Sequence, residues 1–177
     1  MRLVNRSLII VAATVCFSAW AQGPSYGLGR APSTEEVKAW DTAVGPEGKE
    51  LPPGKGTAAE GAKIFSARGC SWCHGPNGEE GPGPRLVGGG IAGWAFATTI
   101  WDYINRAMPL NGEGNLKPDE VYNLTAFLLH RNGIIKEGDV VDAASLPNVQ
   151  MPNRNRYVPP PITQWNPGMP RPFKIEP

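Results

Sequence analysis

Cysteine and histidine are both scarce in this chain, which has three cysteines and two histidines among 177 residues. Three cysteines are too few for a disulfide-rich scaffold. A structural zinc site built from two closely spaced ligand pairs is also not favoured, because His130 has no cysteine or second histidine near it in the sequence. An excess of charge is also lacking, because 17 basic residues face 16 acidic ones. This balance gives no reason to expect a nucleic acid or an anionic lipid surface as a partner.

The sequence also lacks any apolar run of the roughly 20 residues that a membrane-spanning helix needs. Its most apolar stretch, residues 8–17, follows Arg2 and Arg6 and precedes Ala19 and Ala21 in a small-x-small arrangement. A basic start, a short apolar run and small residues are typical of a secretory signal peptide. We therefore predict cleavage after about Ala21, a periplasmic location and no membrane anchor in the mature protein. A retained anchor is the alternative.

Two cysteines remain once Cys16 has left with the signal peptide. Cys70 and Cys73 stand three positions apart, and His74 follows directly. The pattern C-x-x-C-H is typical of c-type haem attachment, in which each thiol forms a thioether with a vinyl group and the imidazole ligates the iron. A redox dithiol, part of a zinc site and a structural disulfide are the alternatives for a bare C-x-x-C pair. The single motif predicts one covalently attached haem c, with His74 as a metal ligand.

A loop rich in glycine and proline, residues 75–93, follows the motif and offers a partner for the histidine. An imidazole that ligates a metal usually donates its second ring N–H to an acceptor. The carbonyl oxygen of Pro84 is our candidate acceptor for His74 Nδ1. An ordinary turn proline is the alternative.

Met108 is the candidate for the second iron ligand. Residues 94–108 have the apolar spacing of a helix, and Pro109 forbids its continuation. A thioether sulfur at a helix end beside a polar loop suits the sixth position of haem iron. The rivals are an open sixth position and a methionine of the proline-rich tail, Met151 or Met169.

Two more segments have helical patterns. Thr57 begins one of them with a capping-box pattern that Glu60 completes. Gly61, inside that helix, costs about 1 kcal/mol relative to alanine, so we expect another helix to approach closely there. Residues 116–130 have a broad apolar side and end before Gly133.

The order of these segments predicts an all-α protein with one haem domain between two arms. Both flanks of the helical region are rich in proline and lose the helical periodicity. The predicted parts are a signal peptide, residues 1–21; an N-terminal arm, residues 22–56; the haem domain, residues 57–135; and a C-terminal arm, residues 136–177.

The assembled residues resemble the class I cytochromes c over residues 57–133. The shared features are a first helix with Gly61 and Phe65, the C-x-x-C-H motif, residues 83–86, residues 106–109, and a last helix with Leu124 and Phe127. The resemblance implies a class I cytochrome c fold with extended N- and C-terminal arms, in which the terminal helices cross at the glycine and aromatic positions. It also implies that the proline carbonyl holds the proximal histidine and that Leu86 packs on the haem.

Three further side chains are candidate neighbours of the haem edge or its propionates: Arg85, Trp101 and Arg106. Exposure to solvent or ordinary packing is the alternative for each of them. The full set of predicted haem-binding residues is Cys70, Cys73, His74, Pro84, Arg85, Leu86, Trp101, Arg106 and Met108.

A narrower resemblance is to the cytochrome subunits of periplasmic sulfite and sulfur dehydrogenases of the Sox type. It rests on residues 26–30, 40–41, 51–54, 100–109 and 146–154, which lie partly in the two arms. The resemblance implies that the protein accepts single electrons from a molybdenum-cofactor subunit and passes them to a downstream cytochrome or oxidase. The alternatives are a carrier for another periplasmic dehydrogenase or terminal oxidase, and a small haem enzyme with a labile sixth ligand.

Overall fold

The computed structural model describes residues 27–156 and Val158. The predicted signal peptide, the outer part of the C-terminal arm and Met169 lie outside the described residues. The α-helices are α1 (Thr34–Trp40), α2 (Ala58–Ala67), α3 (Cys70–His74), α4 (Ala97–Ala107) and α5 (Pro118–Arg131). The strands are β1 (Lys55–Thr57) and β2 (Val140–Asp142), and short 3₁₀ helices span Gly90–Gly93, Leu146–Asn148 and Arg154–Arg156.

The chain divides into two units between Trp40 and Asp41. In the first unit, α1 begins with a reciprocal cap, because the Ser33 hydroxyl accepts from Glu36 N–H and the Glu36 carboxylate accepts from Ser33 N–H. In the described part of the second unit, four α-helices and both strands lie around one hydrophobic core. Among the residues described, no helix is both long and apolar enough to cross a membrane.

Helices α2 and α5 cross at the glycine predicted to allow a close approach. A Cβ atom on Gly61 would lie 2.0 Å from the carbonyl oxygen of Asn123 and 2.6 Å from Phe127 Cβ. One turn further along α2, the rings of Phe65 and Phe127 pack with their centroids 5.0 Å apart. The helix begins at the predicted cap, with the Thr57 hydroxyl accepting from Glu60 N–H. The predicted capping box is not completed, because Thr57 N–H donates to Asn123 Oδ1 at 2.7 Å and not to Glu60. The terminal helices therefore cross as the class I resemblance implies.

Helix α4 packs on the core through its buried side, which includes Ile100 and Trp101. The Trp101 ring lies against Tyr122 of α5, with the ring centroids 5.5 Å apart. The Tyr122 hydroxyl donates to the carbonyl oxygen of Pro52 at 2.8 Å. Burial raises the pKa of Tyr122 to about 12, so this phenol stays protonated and keeps donating at neutral pH.

A short antiparallel ladder, which the sequence did not predict, joins the two flanks of the haem domain. Strands β1 and β2 pair with Lys55 opposite Asp142 and Thr57 opposite Val140. Because β1 lies directly on α5, a Cβ on Gly56 would meet the backbone nitrogen of Asn123 at 2.2 Å. In the part of the chain that the structure describes, the fold is thus helical apart from this strand pair, and the all-α prediction is confirmed.

Candidate haem site

Helix α3 presents the C-x-x-C-H motif between two glycines with left-handed φ angles. Gly69 precedes it with φ of 76°, and Gly75 follows it with φ of 79°. These angles favour glycine, so the chain can turn sharply on both sides of the motif. Cys70 and Cys73 are free thiols in this turn. Burial raises the pKa of the Cys70 thiol above its ordinary value.

His74 is oriented by the predicted hydrogen bond, because its Nδ1 lies 2.7 Å from the carbonyl oxygen of Pro84. The loop that carries this oxygen is fixed to the motif, since Gly83 N–H donates to the carbonyl of Cys73 at 2.7 Å. Because Nδ1 donates its N–H to this carbonyl, Nε2 is the ring nitrogen that is available as a metal ligand.

A cavity of about 470 Å³ opens beside α3 and has an apolar wall. Six of the predicted haem-binding residues line it: Cys70, Cys73, His74, Pro84, Leu86 and Met108. Helices α2, α4 and α5 contribute Phe65, Ile104, Leu124 and Leu128. The volume is within the range of cofactor sites, and the wall is apolar, as a porphyrin face requires. Two thiols, an imidazole and a thioether in one apolar cavity fit a haem c.

Met108 reaches the cavity from the end of α4. Its N–H donates to the carbonyl of Ile104 at 3.2 Å and closes the last helical turn, while its own backbone is extended. Its side chain is half-buried and lines the same cavity as His74. The structure therefore brings both predicted axial ligands to one site.

Arg85 and Arg106 do not line the cavity. Arg85 is exposed, and the guanidinium of Arg106 is held by the carboxylate of Asp102 one turn earlier on α4. That ion pair raises the pKa of Arg106. Trp101 is also absent from the cavity wall, because its ring packs on Tyr122. Its buried Nε1 has no hydrogen-bond partner among the described residues. A place beside the haem edge or its propionates stays a prediction for all three residues.

Several cavity residues were not predicted from the sequence as haem neighbours. Arg68 is the clearest case, because it lines the cavity from the end of α2 while Glu120 accepts from its Nε at 2.8 Å and from its Nη2 at 2.6 Å. Trp72 and Leu110 also line the cavity, although they are 84% and 70% exposed. In the sequence, the one sign that Arg68 lies beside the haem site was its position two residues before Cys70.

Comparisons with known proteins agree with this geometry. A family model described as cytochrome c oxidase, cbb3-type, subunit III matches residues 56–128. A chain in the crystal structure of the sulfane dehydrogenase SoxCD from Paracoccus pantotrophus is 31% identical, with a TM-score of 0.65. That match covers 85% of this chain and 87% of the other. None of the curated proteins compared with the chain matches it.

The crossed helices, the attachment motif and the cavity define a cytochrome c electron-transfer domain, and such a domain implies haem c as its cofactor. The chain belongs to the class I cytochromes c and is similar to a chain of the SoxCD sulfane dehydrogenase.

Proposed function

We propose that this protein is a periplasmic monohaem cytochrome c that accepts electrons from a molybdenum-dependent sulfite or sulfur dehydrogenase. In this proposal, one haem is attached through Cys70 and Cys73 and ligated by His74 and Met108. The observation that carries it is the shared cavity, which both thiols, the oriented imidazole and the thioether line. When bound, haem iron supplies reversible one-electron chemistry between the ferric and ferrous states.

The residues of the chain have distinct parts in this function. Pro84 fixes the tautomer and the ring direction of His74 through the 2.7 Å contact. Met108 contributes a soft sulfur, which favours the ferrous state and raises the reduction potential. The apolar side chains of α2, α4 and α5 exclude water, which also raises the potential. With His74 and Met108 both holding the iron, no position would remain for a substrate, so the protein would act as a relay.

The similarity to a sulfane dehydrogenase chain supports the choice of partner. It extends over 85% of this chain, beyond the residues that the family model matches. In this proposal the arms, which carry part of the Sox-type resemblance, contact the catalytic subunit. Export fits the same proposal, because the N-terminal residues have the pattern of a signal peptide.

Reduction by a partner enzyme tests this function. Ferric protein is mixed with the molybdenum subunit of a sulfite or sulfane dehydrogenase and its substrate, and the ferrous haem bands are followed by stopped-flow absorbance. We expect reduction only when enzyme and substrate are both present. A variant of the enzyme that lacks the molybdenum cofactor is the control. Absence of transfer at micromolar concentrations of both proteins would contradict the proposed partner.

A second candidate is a carrier for a terminal oxidase, and the family model described as a cbb3-type oxidase subunit favours it. The same stopped-flow design separates the two. Oxidation of the ferrous protein by a cbb3-type oxidase, without reduction by the dehydrogenase, would favour the second candidate.

A further inference from the structure

Asp102 of α4 is a buried carboxylate that accepts hydrogen bonds from two different parts of the chain. The residue is 8% exposed. Its Oδ1 accepts from Val44 N–H at 2.8 Å and from Arg106 Nε at 2.8 Å, and its Oδ2 accepts from Arg106 Nη2. A charged carboxylate is stable in a buried position only when hydrogen-bond donors replace the water that it has lost. The burial of Asp102 therefore depends on both Val44 and Arg106.

The arrangement lies at the end of the helix that presents Met108. Asp102 and Arg106 are one turn apart, and their ion pair spans the final turn of α4. Arg106 is followed two positions later by Met108, whose N–H closes that same turn on Ile104. The geometry of the final turn therefore sets where the Met108 backbone leaves the helix.

The segment that donates to Asp102 is itself fixed in the core. Val44 packs against the core cluster, and Leu51, at the end of the same segment, is 8% exposed. Between them, Gly48 has φ of 66°, and a Cβ there would lie 2.6 Å from Pro147 Cγ. The Val44 N–H is thus a donor on an immobilised segment, and Asp102 ties the end of α4 to it.

The chain after Met108 offers less support. Its hydrogen bonds join residues within the loop itself: Gly112 N–H donates to Pro109, Asn115 N–H to Gly112, and Asn111 N–H to the Glu113 carboxylate. Leu110 in this loop is 70% exposed. A loop with local bonds and exposed side chains opens at low free energy. The position of Met108 is therefore set mainly from the helix side.

We propose that Asp102 is a positioning residue for Met108, holding the last turn of α4 against the segment of Val44 so that the thioether stays directed at the haem iron. This inference rests on the proposed ligation by His74 and Met108. When the Asp102 contacts are lost, the end of α4 and the loop after it open as a unit, and the sulfur leaves the iron before the protein unfolds as a whole.

The test uses Asp102→Asn, which keeps the size of the side chain but can satisfy only part of the donor set, and Arg106→Gln, which keeps the Val44 bond. Asp102→Ala is a third and more severe variant. The matched control is Asp119→Ala. Asp119 is also a helical carboxylate that accepts a backbone N–H from the N-terminal side, from Lys55 at 2.9 Å, but it belongs to α5.

Two signals are followed on heating the ferric holoprotein: the weak sulfur-to-iron charge-transfer band and the far-UV circular dichroism. In Asp102→Asn and Arg106→Gln we expect the midpoint for loss of the band to fall by about 5 °C or more relative to the midpoint of helix unfolding. In the wild type and in Asp119→Ala the separation of the two midpoints stays the same.

Equal shifts of both midpoints, or no shift, in the Asp102 and Arg106 variants would overturn the positioning role and leave the proposed function intact. Absence of the band in the wild-type protein has a different meaning. It would refute the ligation by Met108 on which the proposed function depends, and the inference would fail with it.

Discussion

The ring of His74 can use only one of its nitrogens for a metal, because the other is engaged by Pro84 at 2.7 Å. The proposed second ligand, Met108, has no comparable side-chain hydrogen bond, since a thioether sulfur is only a weak acceptor. Replacement of Met108 should therefore change the ligation of the haem iron most directly.

Met108→Ala is expected to remove the sulfur-to-iron charge-transfer band of the ferric protein. It should also lower the reduction potential by part of the ~0.8 V range over which axial ligands set haem potentials. A visible spectrum and a redox titration measure both effects. Met151→Ala is the matched control, because Met151 is 4% exposed in the core and does not line the cavity. Persistence of the band in Met108→Ala would rule out this ligand.

Gly61→Ala is expected to destabilise the protein by about 2 kcal/mol, in spite of the better helix propensity of alanine. The new methyl group would lie 2.0 Å from a backbone oxygen of α5, which can move only if the helices separate. Urea unfolding measures the change. Gly90→Ala is the control, because apart from the adjoining backbone no atom lies within 4 Å of a Cβ at that position. Equal stabilities of the two variants would contradict the close helix contact.

At the residue scale, the site residues that the sequence predicts best are those whose residue type and spacing both point to the same chemistry. Cys70, Cys73 and His74 are recognisable because their residue types at that spacing have few other uses. Arg106 is the opposite case. The direction of its side chain depends on the ion pair with Asp102, one turn away on α4. The sequence does not show that Asp102 is buried.

At the element scale, Glu120 connects the ends of two crossing helices. It accepts from Lys117 N–H at the start of α5 and from Arg68 at the end of α2. Burial acts to raise the pKa of Glu120, but these hydrogen bonds outweigh it, and its pKa is lowered. A carboxylate with a lowered pKa stabilises the folded state while it is ionised.

The contribution of Glu120 should therefore be complete above its unfolded pKa of about 4.3 and should disappear as the pH falls through its lower folded pKa. Urea unfolding of the wild type and Glu120→Gln between pH 3 and pH 7 measures this. We expect the difference in unfolding free energy to be largest at neutral pH and to shrink in acid. Glu60→Gln, which alters an exposed pair with Lys63, should show little effect at any pH. A difference for Glu120→Gln that is independent of pH would contradict this account.

The helices could be predicted from the sequence, and the strand pair could not. Caps and apolar spacing give α2, α4 and α5 local signals that do not depend on the rest of the fold. Strands β1 and β2 have three residues each, too few for an alternating pattern, and their pairing joins distant parts of the chain. Gly56 is required in β1 because α5 lies against it, which becomes visible only in three dimensions.

At the scale of the whole molecule, the inner portions of both arms belong to the folded core. Leu51 precedes the helical region and Leu146 and Met151 follow it, yet all three are buried with the helices. They are single apolar residues in proline-rich sequence and have no periodicity to indicate their burial. The sequence therefore predicts the arms themselves but not how much of them is packed.

Leu146→Ala tests whether the C-terminal segment stabilises the domain. The side chain is fully buried, so we expect a loss of about 2–5 kcal/mol in unfolding free energy. Val158→Ala is the control in the same arm, because Val158 is 82% exposed and its truncation should have almost no effect. If chemical denaturation gives the two variants the same stability, the segment is not part of the cooperative unit.

The central claim about the molecule is that one haem c is covalently attached at Cys70 and Cys73 of an exported chain. The intact mass of the denatured protein, purified from a host that attaches c-type haem, tests it most directly. We predict the mass of the polypeptide from Gln22 onward plus one haem, and the bare polypeptide mass when both cysteines are replaced by alanine. A wild-type mass without haem, under conditions in which another c-type cytochrome is loaded, would contradict the claim.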